Sequence, residues 1–319
     1  MATPTSTTHI INIDSSALRA WPLPMPGHEG DKEERGHVLI LGGSHEMPGA
    51  IILAATAALR AGAGKLTIAT GASVAQLVAL AIPEARVIAL GETAGGGFTA
   101  DAVDALDPLA DKVNAILIGP GMKDEVSTAA LVRALLPRLE DSATSVVLDA
   151  CAMGVIRQAE RQDGTPFRFN APVILTPHAG EMAHLTGIDK DEVLADPDAC
   201  AREAARDWNA VVALKGARTV VSAPDGSRWQ HEGGNVGLAI SGSGDTLAGI
   251  IAGLAARGAS LEQATCWGIA LHARAGERLA ERFGLLGYLA RELAHEIPAL
   301  MMQLGTEGER RFDPPAASA

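Results

Sequence analysis

Along the chain, short apolar runs alternate with longer stretches of helical periodicity. Residues 38–41 are apolar throughout, an Ala-rich helical segment follows at 50–61, and residues 66–69 form a second short apolar run. This predicts strand, helix and strand, one βαβ unit. Further strands are expected at 87–90, 115–118, 146–148, 173–175 and 211–214. Runs that are largely apolar throughout, instead of alternating with polar residues, suit strands covered on both faces, as in a parallel sheet. Residues 219–222 and 227–231 flank Pro224-Asp225-Gly226, turn chemistry that predicts a hairpin. From Asp245 to about Met301 the pattern reads as two or three helices, with Gly258 and the 284–287 stretch as breaks. The expected fold is α/β: a central, mainly parallel sheet with helices on both faces and a helical C-terminal end.

The ends differ from this pattern. Residues 1–30 are rich in Thr, Ser and Pro, and the Trp21-Pro22-Leu23-Pro24 run interrupts any helix, so an extended N-terminal arm is expected. Residues 305–319 carry charges followed by Pro314, Pro315 and small residues, which predicts a flexible C-terminal tail. No composition break divides residues 31–304, which are read as one domain.

Composition narrows the function. Hydrophobic residues make up 47% and charged residues 20% of the 319, enough for a large core and unlike a disordered chain. Aromatics at 3% leave little for base stacking, and a formal charge of -12 repels a polyanion, so nucleic acid is not an expected partner. Cys151, Cys200 and Cys266 are dispersed and odd in number, without metal-ligand spacing, and are read as reduced thiols. The start lacks the basic and apolar regions of a secretory signal, and no run reaches the ~18 apolar residues of a membrane span. These features predict a cytoplasmic protein with no membrane partner.

The strongest candidate chemistry is Ser241-Gly242-Ser243-Gly244-Asp245, directly before a helical run. Glycines let backbone N–H groups approach an anion, and a helix N-terminus adds partial positive charge, so Gly242, Ser243 and Gly244 suit a phosphate cradle. A carboxylate in such a cradle makes sense as a general base facing a substrate hydroxyl, although Asp245 also suits a plain helix cap. His178 after Pro177 is a ligand contact or a loop histidine satisfied by backbone, and Lys215 a phosphate contact or a solvated lysine. Gly42, Gly43 and Gly49 admit a ligand or permit a tight turn. They lack the G-x-G-x-x-G spacing, which disfavours a dinucleotide-dependent dehydrogenase.

The Ser-Gly-Ser-Gly-Asp-Thr-Leu-Ala-Gly segment resembles the signature of the ribokinase-like superfamily, and in particular its NAD(P)H-hydrate dehydratase branch. Four more segments agree in order: Gly42-Gly43-Ser44 with Met47-Pro48-Gly49-Ala50 and the 58–64 run, Gly119-Pro120-Gly121, Thr176-Pro177-His178-Ala179-Gly180-Glu181, and Lys215-Gly216-Ala217-Arg218-Thr219. The similarity runs from about Lys32 to Pro298. It implies that Ala50, Gly121 and His178 contact a hydrated NADH or NADPH, that residues Lys215, Gly216, Ala217, Arg218, Thr219 and Gly244 hold an adenine nucleotide, and that Asp245 is the base. The implied reaction phosphorylates the ring hydroxyl of the (6S) hydrate and eliminates phosphate, with ADP (or ATP) as co-substrate and Mg²⁺ as cofactor; the metal ligands stay open. The resemblance also implies a homotetramer and, since about 30 residues precede the first predicted strand, a separate epimerase.

One departure stands at Cys151, where members of the family carry Asp or Gly, and Met153 replaces a Leu. Cys151 suits packing or alters contacts near Asp149. The competing readings are a ribokinase-like kinase of a vitamin-precursor alcohol, which releases a stable phosphoester, and a catalytically inactive nucleotide-binding protein.

Overall fold

The computed structural model describes residues 10–27, 31–140, 142–158 and 167–305. Among these described residues ten strands run in chain order: β1 (Ile11–Asn12), β2 (His37–Leu41), β3 (Lys65–Gly71), β4 (Arg86–Leu90), β5 (Ala115–Ile118), β6 (Ser145–Leu148), β7 (Val173–Leu175), β8 (Ala210–Leu214), β9 (Arg218–Ser222) and β10 (Arg228–Glu232). They form a single sheet in the order β1-β10-β9-β8-β7-β6-β5-β2-β3-β4. All neighbours are parallel except β9, which is antiparallel to both β8 and β10. The hairpin expected around Pro224 is the β9–β10 turn, where the Ser227 amide donates to Asp225 Oδ1 at 2.8 Å.

Successive residues of a strand point to opposite faces, and both faces are covered here. On one face Val38, Ile40, Leu117, Val147, Ile174 and Val211 pack with the helices Pro48–Arg60, Ser243–Ala256, Leu261–Phe283 and Ala290–Gly305. On the other, Leu39, Leu41, Ile116, Leu148, Leu175 and Val212 pack with helices Glu125–Leu135, Ala179–Thr186 and Pro197–Trp208. Both sets are buried, which is why the strands read as continuous apolar runs. The breaks at Gly258 and Gly284 separate three C-terminal helices as the pattern predicted.

The Pro48–Arg60 and Ser243–Ala256 helices touch backbone to backbone. A Cβ on Gly249 would collide with the Ala54 carbonyl, and one on Gly253 would lie 2.5 Å from the Ala58 carbonyl oxygen. These glycines at i and i+4 let the second helix lie close above the sheet, and that contact sets where its N-terminus, residues 243–245, meets the strand ends.

The N-terminal arm is more structured than expected. Ile11–Asn12 adds an edge strand beside β10, and Ser15–Ala20 is a helix whose N-cap, Asp14, accepts the Ser16 and Ala17 amides. Asp14 supplies the capping acceptor that makes so short a helix possible. The Trp21–Pro24 run is non-helical, as its prolines require, and is held by its carbonyls: Trp267 Nε1 and Gln263 Nε2 donate to Trp21 O, and Arg257 donates to Pro24 O. Of the tail expected at 305–319, Gly305 instead ends the Ala290–Gly305 helix, and residues 306–319 lie outside the described residues. No helix among the described residues is long and apolar enough to cross a membrane.

Candidate active site

The order in which strands are added reverses at β2: β3 and β4 lie on one side of it, and β5 to β8 on the other, all running parallel to it. In open α/β sheets such a switch point opens a crevice at the carboxyl ends of the strands. The candidate residues follow those ends. Gly42 and Gly43 come directly after β2, Gly119 to Gly121 after β5, Asp149 after β6, Thr176 to His178 after β7 and Lys215 after β8.

At the switch point two loops meet too tightly for side chains. Gly43 (φ 75°) donates its amide to the Pro120 carbonyl at 2.7 Å, and Gly121 has φ 67°. A Cβ on Gly121 would lie 2.5 Å from Met47 O and 2.8 Å from the Ala50 Cβ. Ala50 and Gly121 therefore meet, as the motif reading requires. Gly49, by contrast, faces open space.

Asp149 is 3% exposed and accepts the Thr176 hydroxyl at 2.6 Å. Lys215 Nζ lies 3.5 Å from Asp149 Oδ1 and 3.7 Å from Glu181 Oε2. Burial works against the Lys215 charge, but the Asp149 and Glu181 carboxylates outweigh it and raise the ammonium pKa. Lys215 is thus a held cation and not a solvated one. Its amide bonds Pro177 O at 2.8 Å, tying the β8 end to the His178 loop.

Asp245 stands in the first turn of the Ser243–Ala256 helix, whose N-cap is Gly242, so the capping alternative falls away. Burial, with the Asp149 carboxylate adding to it, pushes the Asp245 carboxyl from 3.8 to about 6 in spite of Lys215. A carboxylate poised there is matched to taking a proton near neutral pH. The turn is fastened by His272, whose Nε2 lies 3.0 Å from Ser243 Oγ and 3.1 Å from Ser243 O. Desolvation pushes the half-buried His272 imidazole down to about 4, so it stays neutral.

His178 answers its two readings at once. Its Nδ1 accepts the Gly180 and Glu181 amides at 3.0 and 3.1 Å and caps the Ala179–Thr186 helix, while Glu181 returns the bond to the His178 amide. Its other side lines two concavities. The larger, about 710 Å³, extends from His178 and Lys215 past Gly216, Ala217, Thr219, Ser243 and Gly244. Of the other predicted site residues, Arg218, which is exposed, Gly242, which packs against Leu53, and Ala50, Gly121 and Asp245 are not among the residues lining this cavity. The smaller, about 330 Å³, is lined by Cys151, Glu125, His184 and Glu181. There Cys151 is half-buried, and burial raises its thiol pKa, so it is no thiolate. All three cysteines are free. A further concavity near Arg133 and Pro172 lies by the start of β6 and β7, away from these groups.

Sequence reasoning had not assigned roles to Thr176, Glu181 or His272. Glu181 carried a signal, since an acidic residue three positions after a cap marks a capping box; His272 carried none. Among the described residues no three His, Cys, Asp or Glu side chains converge as a metal cage.

Comparison with known proteins agrees with this geometry. Residues 38–299 match the family model described as NAD(P)H-hydrate dehydratase. The chain is 50% identical over 292 residues to the ADP-dependent (S)-NAD(P)H-hydrate dehydratase of Xanthomonas campestris pv. campestris, covering 92% of this chain and 96% of that one. The ADP/ATP-dependent NAD(P)H-hydrate dehydratase of Bacillus subtilis, solved after co-crystallisation with ATP and Mg²⁺, superposes with a TM-score of 0.77 at 31% identity, covering 93% and 99% of the two chains. A ribokinase-like superfamily protein of Enterococcus faecalis superposes at 0.78 with 24% identity, over 95% of this chain and 99% of that one, a likeness of fold. The chain belongs to the NAD(P)H-hydrate dehydratase family and carries its chemistry on a ribokinase-like fold.

Proposed function

We propose that this protein dehydrates the (6S) hydrate of NADH or NADPH at the expense of an adenine nucleotide, with ADP as the preferred donor. The observation that carries the reading is the Asp245 carboxyl, raised to about 6 beside Lys215, with the neighbouring Ser243 and Gly244 lining a cavity large enough for a nucleotide. Asp245 takes the proton of the ring hydroxyl as its oxygen attacks the terminal phosphorus of ADP, and AMP leaves. The carbon–oxygen bond then breaks, phosphate departs with the electron pair, and loss of a ring proton restores the dihydronicotinamide. Phosphate is a far better leaving group than hydroxide.

Lys215, with Gly216, Ala217, Thr219 and the 243–244 amides, faces the nucleotide phosphates, and the helix N-terminus favours their charge. Ala50, Gly121 and His178 face the hydrate. Magnesium fits this donor set: it is held by one or two carboxylates together with phosphate oxygens and water, and does not need a cage. Asp149 and Glu181 would hold it, and when bound it neutralises charge building on the transferred phosphoryl group. The family likeness also supports a homotetramer, tested by light scattering, a cytoplasmic location, and a separate epimerase that supplies the (6S) form.

The test incubates hydrated NADH with Mg²⁺ and either ADP or ATP. Recovered absorbance at 340 nm with stoichiometric inorganic phosphate is the expected result. A stable phosphoester with no recovered absorbance would instead make the protein a small-alcohol kinase.

A further inference from the structure

The far end of the large cavity holds two polar groups that the dehydratase reading does not use. His231, in β10, is 7% exposed and lines the cavity. Its Nδ1 lies 2.8 Å from the Ile13 carbonyl oxygen. A carbonyl only accepts, so Nδ1 carries the proton and Nε2 presents a bare lone pair. That Nε2 is buried and has no partner. Burial also pushes the imidazole below its ordinary 6.5, which keeps it neutral.

Asn235 lines the same cavity with the opposite polarity. Its Oδ1 accepts the Gly237 amide and the Tyr288 hydroxyl, each at 2.9 Å. Turning the amide over would set its NH₂ against a backbone N–H, so the orientation is fixed. Nδ2 is then a buried donor, and it too has no partner. Leaving two such groups unpaired is costly unless a ligand completes them.

Gly233, another residue lining the cavity, adjoins His231. A Cβ there would lie 2.6 Å from His231 Nε2, so any larger residue would plug the approach to that nitrogen. Leu238, Leu247 and Ile269 supply apolar wall to the cavity, suited to a flat ring.

We infer that His231 and Asn235 read the edge of the nucleotide base and select adenine over 6-oxopurines. This rests on the nucleotide-binding reading above and names the residues that set its base specificity. The adenine 6-amino group donates to His231 Nε2, and the adjacent ring nitrogen accepts from Asn235 Nδ2. Hypoxanthine and guanine reverse both polarities: their O6 would face the lone pair of Nε2, and their N1–H would face the Asn235 NH₂. A site that leaves buried polar groups unpaired discriminates strongly.

The test measures the binding of ADP and IDP to the full chain by calorimetry at pH 7.5. These ligands differ at the 6-substituent and at N1. The expected result is a preference for ADP on the order of 100-fold or more. In Asn235→Asp, Oδ1 keeps its two donors while the free group changes from donor to acceptor. The ADP/IDP ratio is then expected to fall by at least about tenfold, as one matched contact is lost for ADP and one gained for IDP. Gly233→Ala, which does not touch the Asn235 cap, is expected to weaken ADP binding more than IDP binding. Affinities for ADP and IDP within about threefold of each other in the unaltered protein would overturn the base-edge assignment while leaving the nucleotide site intact. Failure of both nucleotides to bind would overturn the assignment and the nucleotide reading together.

Discussion

Asp245→Asn should make the protein more stable while removing its activity. Raising a carboxyl from 3.8 to about 6 means that ionised Asp245 is disfavoured in the folded state by about 3 kcal/mol, at about 1.4 kcal/mol per tenfold. The raised folded pKa fixes the sign. The penalty is absent below the unfolded value, grows as pH rises through the window from about 4 to 6, and is complete above it. Asparagine keeps the shape without the charge, so the variant is expected to gain about 1–3 kcal/mol at pH 7.5. In urea denaturation its midpoint should exceed that of the unaltered protein at pH 7.5, and the gap should shrink as pH falls from about 6 to about 4 and close at about pH 3, where Asp245 is protonated in both states. Turnover of hydrated NADH should drop by about 10²–10⁴, the range for loss of a general base. A variant that is less stable at pH 7.5, or a gap that ignores pH, would show that Asp245 is not held ionised against its surroundings.

Further outcomes follow from the same geometry. In the unaltered enzyme, kcat/KM should fall as pH drops through about 6, where Asp245 takes up its proton. Lys215→Met removes the cation that holds Asp245 down, so this acid limb should move up by about one pH unit while nucleotide binding weakens about 10- to 100-fold. Gly121→Ala drives a Cβ toward Met47 O and Ala50 at φ 67°, and should cost about 1–3 kcal/mol of stability with a raised KM for the hydrate, read by denaturation and initial rates. Thr176→Val removes the buried donor to Asp149 and should cost about 1–3 kcal/mol in urea, with Thr176→Ser nearly neutral.

Most strands were legible because burial on two faces leaves an unbroken apolar record; residues 115–118 and 173–175 match to the residue. The arm was less so. A six-residue helix leaves no periodicity to read, and the carbonyls that anchor Trp21 and Pro24 answer to Trp267, Gln263 and Arg257, which local sequence cannot pair with them. At the site, the Gly-Ser-Gly-Asp loop is a local signal because its chemistry is all backbone and one side chain. The Asp149–Lys215–Glu181 cluster is not, for it exists through the order β8-β7-β6 in the sheet. Arg218, Gly242 and Asp245 belong to readable motifs yet are not among the residues lining the large cavity, since a motif fixes neighbours in sequence and not which of them wall a concavity.

The edge strand contributed by the first described residues does more than lengthen the sheet. By giving His231 a fixed acceptor at Ile13, it decides on which ring nitrogen a single hydrogen resides, 218 positions away. Trimming the chain through that strand and Ile13 therefore amounts to editing the wall of a distant binding pocket, and a preparation that lacks them is a different reagent for any nucleotide titration.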